Sequence, residues 1–162
     1  MGMDRPGLIA ALLATGLACS GLAATAAALA AEPGPDETVT FNGLQWALQT
    51  NGSDIHWPDA IDYCANLALA GHNDWRLPTM AELESLYDPD SADGHGVRSP
   101  IIIDTCCLWS DESLVDRPAE DGDDTAGPPD RYHWGFMFDG GLEYYAVHIF
   151  EDGQALCVRD AD

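Results

Sequence analysis

The sequence predicts an α+β domain: two helices set inside an otherwise antiparallel β chain and stabilised by disulfides. Three observations carry that reading. Asn42-Gly43 separates two short runs rich in apolar and β-branched residues, and Asn-Gly is the strongest two-residue hairpin signal because both turn positions need positive φ. Segments with helical spacing begin at Pro58 and after Pro78. The last third alternates extended runs with Asp-Gly turns, the pattern of a meander. Helices inserted into an antiparallel β chain give the α+β class.

Residues 1–30 read as a targeting segment, 31–37 as a linker and 38–162 as one domain. Arg5 supplies a weak positive n-region, Leu8 to Ala18 is apolar and uncharged, and Ala28-Leu29-Ala30 fits the small-x-small cleavage pattern. The apolar run falls short of the ~20 residues a membrane span needs. A removable leader predicts export, to the periplasm or outside the cell. Cys19 ends the apolar run, a position where some exported proteins are lipidated. Gly16, three residues earlier, stands where lipid attachment wants a branched apolar residue and argues against it.

Within the domain, Thr38 to Phe41 and Leu44 to Leu48 form the hairpin. The first helix starts near Trp57, with Pro58 at the first helical position, where no N–H is needed. Ala60, Ile61, Cys64, Leu67 and Ala68 then share one face, and Gly71 ends the helix. In the second helix Thr79 and Glu82 make a capping box, and Leu83, Leu86 and Tyr87 supply the buried side. Asp88 to Pro100 is a loop, Ile101 to Trp109 is apolar and partly extended, and Ser110 to Asp130 is the most loop-like stretch. Tyr132 to Phe138, Leu142 to Phe150 and Gln154 to Arg159 are the three runs of the closing meander.

Lysine is absent; six arginines face 28 acids, for a net charge of −22. That field argues against nucleic acid, anionic lipid and sulfated glycans as partners. Four cysteines follow the leader: Cys64, Cys106, Cys107 and Cys157. An even number in an exported chain reads as disulfides, with three connectivities open.

The order of short motifs carries a resemblance. It runs Gly43-Leu44-Gln45-Trp46, Trp57-Pro58-Asp59-Ala60, Tyr63-Cys64, then the stretch from Leu69 to Asp88 that contains Asp74-Trp75-Arg76-Leu77-Pro78-Thr79 and Glu82-Leu83. Pro100 to Asp104, Leu108-Trp109-Ser110 and Cys157-Val158-Arg159 complete it. This resembles the Lcl C-terminal domain family of secreted bacterial proteins, and the Arg-Leu-Pro-Thr segment is similar to one in the formylglycine-generating enzyme superfamily. The resemblance implies a C-type-lectin-like fold, a Cys64–Cys157 bridge, terminal strands that meet, and attachment or ligand binding rather than catalysis. It implies glycan binding too, but Leu156 stands where many members have Arg, which with the negative charge disfavours sulfated sugars.

Arg76 reads as structural, a half-buried guanidinium paired with Asp74 or Glu82, so that Arg76→Ala is expected to prevent folding or secretion. If Cys64 and Cys157 pair, Cys106 and Cys107 form a vicinal bridge, stay as thiols or link two chains. The acids between Asp111 and Asp130 form a solvated loop or, through Asp121, Asp123 and Asp124, a calcium site. Their spacing fits no calcium loop, and no other cofactor is expected. Tyr132, His133 and Trp134 alternate faces on a strand, so at least one is expected to be exposed as a ligand surface. The five histidines show no metal-ligand spacing, and no triad, P-loop or dinucleotide signature occurs. The expected function is a non-enzymatic binding or attachment module for a glycan or protein; the alternative is a metal- or thiol-dependent enzyme on the same scaffold.

Overall fold

The computed structural model of the chain describes residues 37–92, 94–119 and 127–162. The leader with Cys19, the linker up to residue 36, and the candidate cation ligands Asp121, Asp123 and Asp124 lie outside the described residues.

Among the described residues, two three-stranded antiparallel sheets, two α-helices and a short 3-10 turn make the α+β fold. In the first sheet β1 (Thr38–Phe41) and β2 (Leu44–Ala47) form the predicted hairpin, with Phe41 opposite Leu44. Asn42 and Gly43 hold positive φ, 53° and 82°, as an Asn-Gly hairpin turn requires. The third strand is β6 (Val158–Asp160), paired with β2, so the ends of the domain meet. The second sheet runs β3 (Cys107–Ser113), β4 (Tyr132–Met137), β5 (Leu142–Val147).

This corrects the expected meander. Its first two runs pair, but the third crosses to β2, and β3 takes the edge of the second sheet. The cause is burial: Ala155, Leu156 and Cys157 are fully buried, so the chain passes through the core instead of returning along β5. On the way Gln154 donates its N–H to Cys107 O at 3.0 Å and accepts from Trp109 N at 3.0 Å. Strand β3 also takes Ser110 to Ser113 from the stretch read as loop. Ser110 is buried there because its hydroxyl has a partner, Trp134 O at 2.9 Å.

Helix α1 (Trp57–Ala65) begins where predicted and ends early. Asn66 caps it, bonding Asp62 O through both its backbone N–H (3.1 Å) and its side-chain amide (2.7 Å). Leu67 to Gly71, expected as helix, instead enter a tight turn in which Leu69 and His72 exchange backbone hydrogen bonds and Ala70 and Gly71 take positive φ. Helix α2 (Met80–Glu84) carries the predicted capping box between Thr79 and Glu82.

One core joins these elements. Trp46, Leu77, Leu83, Leu86, Trp109, Phe138 and Leu156 are fully buried in it. The Trp109 indole N–H is satisfied by Ile55 O at 2.9 Å. The turn after β4 depends on Gly141, at φ 65°, because a Cβ there would lie 2.5 Å from the Tyr87 ring.

Candidate ligand-binding site

The most specific sequence segment is built as scaffold. Arg76 donates from both terminal nitrogens to the two carboxylate oxygens of Glu82, each at 2.8 Å, and also to Leu77 O. The hydrogen bonds to Glu82 raise the Arg76 pKa. Burial opposes the Glu82 charge, but Arg76 and the Thr79 N–H outweigh it and hold the carboxyl below its usual range. Of the two acids anticipated as partners, Glu82 is the one used. Asp74 pairs instead with buried Arg159, at 2.8 and 3.1 Å, and the hydrogen bond from Arg159 lowers its pKa. Trp75 is buried, and the Pro78 carbonyl accepts from Asp111 N at 2.9 Å. These groups tie the approach to α2 to β6 and β3, while the buried Trp75 indole N–H has no hydrogen-bond partner.

The aromatic strand is a correction. None of Tyr132, His133 and Trp134 is exposed: Tyr132 is half-buried, and His133 and Trp134 are buried. His133 stacks on Trp57, ring centroids 3.6 Å apart. Trp134 is covered by the Arg117 guanidinium, 4.8 Å above its ring, and donates its indole N–H to Arg117 O. Alternation along β4 does set the two rings on opposite faces, but helix α1 covers one face and the segment after β3 covers the other. Burial, followed by the neighbouring His148, pushes the His133 pKa down to about 4, and its Nδ1 is buried without a hydrogen-bond partner.

A surface cleft of about 330 Å³ lies elsewhere, between the end of β2 and helix α1 with its following turn. Glu37, Gln49 and Thr50 supply polar groups; Leu48, Leu67 and Leu69 supply apolar ones; Tyr63 is 38% exposed. Burial of part of that phenol raises its pKa. Both walls are held from behind. Cys64, the neighbour of Tyr63, is bridged to Cys157, and the Cys157 carbonyl accepts from Ala47 N at 3.0 Å. Leu48 bonds Glu37 O (2.9 Å) and, through its carbonyl, Ile102 N (2.9 Å), while the Thr50 hydroxyl donates to the Gln154 side chain. Sequence reasoning missed this cleft. One signal was present: Tyr63 is an aromatic off the buried Ala60–Cys64 stripe of α1, beside exposed Asp59 and Asp62.

Cys106 and Cys107 form a vicinal disulfide, one of the alternatives left open by the sequence. Among the described residues no three His, Cys, Asp or Glu side chains converge on a metal-sized site, and no helix is long and apolar enough to cross a membrane.

An α+β domain with a buried cross-link, a vicinal bridge and a pre-organised surface cleft is thus in hand. Residues 38–159 match the Lcl C-terminal domain, and the chain belongs to that family. No curated protein matches the chain. Among solved structures, a chain from the complex of a mutant von Willebrand factor A1 domain with botrocetin is 12% identical, at a TM-score of 0.45, over 79% of this chain and 99% of that one. EMS16, an antagonist of the collagen receptor integrin alpha2beta1, is 12% identical, at a TM-score of 0.45, over 77% of this chain and 96% of that one.

Proposed function

We propose that the protein is an exported, non-enzymatic binding or attachment module on a C-type-lectin-like scaffold, taking a neutral or amino-bearing glycan in the cleft beside Tyr63. The cleft is the observation that carries this. Its volume, about 330 Å³, is at the lower end of the range of small-ligand sites. An exposed tyrosine beside amide, hydroxyl and carboxylate groups offers a sugar both a stacking face and hydrogen-bond partners. Glu37 and a net charge of −22 favour a neutral or cationic ligand over a sulfated one. Two disulfides among the described residues support an oxidising compartment, periplasmic or extracellular.

The test is a glycan panel of neutral, amino-bearing and sulfated sugars, followed by calorimetry on the best hit. Tyr63→Ala is expected to weaken binding about tenfold or more, the loss of roughly 1.4 kcal/mol of contact, with the unfolding midpoint unchanged. Binding indifferent to Tyr63→Ala, a preference for sulfated sugars, or a ligand recovered chemically altered would each overturn the reading. The last would favour an enzyme.

A further inference from the structure

Cys106 and Cys107 stand where the loop ending at Thr105 becomes β3. Their bridge spans a sequence separation of 1, so it closes a small ring around their shared peptide bond. A cross-link that encloses no loop removes almost no freedom from the unfolded chain. Stabilisation therefore does not account for it. Cys106 is exposed and Cys107 is buried, so one sulfur-bearing residue faces solvent. Exposed and constrained disulfides are the reducible ones. In contrast, both ends of Cys64–Cys157 are buried in the core.

The backbone here is held without help from the sulfurs. Phe138 N donates to Cys106 O at 2.7 Å, and Gln154 N to Cys107 O at 3.0 Å. Cys107 N donates to Thr105 Oγ1, whose hydroxyl reaches Asp54 Oδ1. Opening the S–S bond leaves these contacts in place and the two sulfurs adjacent, ready to close again. Acids surround the exposed side: Asp54 beside Thr105, Asp104, and Asp139 after Phe138 are all exposed.

We propose that Cys106–Cys107 is a reversible thiol–disulfide exchange site, reduced in the folded protein by an external dithiol whose attacking sulfur carries neutral or basic surroundings. One thiolate of the dithiol attacks Cys106 Sγ. The S–S bond breaks, and Cys107 Sγ leaves as a thiolate that takes a proton from water. The second thiolate of the dithiol then attacks the reagent's own sulfur in the mixed disulfide, releasing Cys106 as a thiolate that likewise takes a proton from water. Two electrons pass from the dithiol, which becomes a disulfide, to the protein, which becomes a dithiol.

Folded protein is equilibrated with graded ratios of reduced to oxidised dithiothreitol, trapped with iodoacetamide and mapped by peptide mass. Cys106 and Cys107 are expected to be alkylated at ratios about tenfold or more below those that open Cys64–Cys157, with unchanged near-ultraviolet circular dichroism and full reclosure by the oxidised reagent. Simultaneous opening of both bridges, earlier opening of Cys64–Cys157, or reduction only after denaturation would overturn the proposal. A Cys106→Ser/Cys107→Ser variant must lose the early alkylation, and its persistence there also counts against the site. For the charge preference, cysteamine is expected to react about tenfold faster than 2-mercaptoethanesulfonate at low salt; equal rates contradict it.

Discussion

The two sheets have the same size and the same antiparallel plan, yet different forces hold them. Around β1–β2–β6 the closures are long-range: Cys64–Cys157, 93 residues apart, and the Arg159–Asp74 pair, 85 apart, with the local Arg76–Glu82 fork beside them. Around β3–β4–β5 no such distant closure appears among the described residues: aromatic packing, with Phe136 on Phe138, Trp134 on Tyr145 and His133 on Trp57, is joined by the Arg117–Glu143 pair, 26 residues apart. The disulfide of this second region encloses no loop, and one of its two residues, Cys106, is exposed. The difference follows from topology. The first sheet joins the beginning of the domain to its end, so its pairing must overcome the largest loop-closure entropy, and a covalent link there restricts the unfolded chain most. The second sheet has no such need, which leaves its cysteines available for chemistry.

The first sheet depends most on Cys64–Cys157. Replacing both residues with alanine is expected to cost up to about 4.6 kcal/mol, the chain-entropy value for a loop of this length, and to loosen the cleft walls that the bridge supports. Urea unfolding at neutral pH measures it. A loss under about 1 kcal/mol would mean that packing, not the cross-link, closes the first sheet.

A pH titration separates the two regions next. His133 titrates near 4 in the folded protein against about 6.5 in an unfolded chain. Between those values the unfolded state binds the extra proton, so stability present above pH 6.5 is lost as the pH falls toward 4, by about 3 kcal/mol in all. The groups around the ring act in opposite directions: His148 lowers its pKa further, and Asp116 and Asp130 raise it. In His133→Phe, which keeps a ring on Trp57, the slope of stability against pH in this window is expected to flatten. An unchanged slope would assign it to another group.

Arg76→Ala is a milder test of the first region than the sequence alone led one to expect. The Arg76 side chain is 39% exposed, so water takes up part of the lost interaction. The expected cost is about 1–2 kcal/mol, after discounting two charge-assisted bonds for solvent screening. Arg76→Lys should recover part of it, because a lysine cannot reproduce the two-pronged contact. Complete failure to fold would return Arg76 to the indispensable role first anticipated.

What the sequence disclosed divides along physical lines. Local signals were legible: the Asn42-Gly43 turn, Pro58 at the head of α1, and the Thr79–Glu82 box each depend on neighbours within a few residues. Pairing across the chain was legible only through the family resemblance, which implied the Cys64–Cys157 bridge and the meeting of the terminal strands, and not through local pattern. Gln154 to Arg159 has strand-like composition, but nothing in it says that β2 rather than β5 is its partner, since that choice rests on the burial of Ala155 to Cys157. Exposure of the β4 aromatics failed for the same reason: alternation tells which residues share a face, not what covers that face. The cleft needed the end of β2 and the turn after α1 together, and the early stop at Asn66 that forms this turn was hidden by apolar residues continuing to Ala68.

Cys106→Ser/Cys107→Ser removes a bridge that encloses no loop, so the entropic gain from it is close to nothing. The local hydrogen bonds from Phe138, Gln154 and to Thr105 all use backbone atoms of these residues, and the substitution keeps them. Cys106 is exposed, so serine costs little there; Cys107 is buried, so its serine hydroxyl sets the penalty. The net loss is expected to stay within about 1–2 kcal/mol, well below that of the Cys64–Cys157 pair, in the same urea experiment. A loss equal to that of the long-range bridge would mean that the vicinal ring shapes the start of β3 itself, and the two disulfides would then share one structural role.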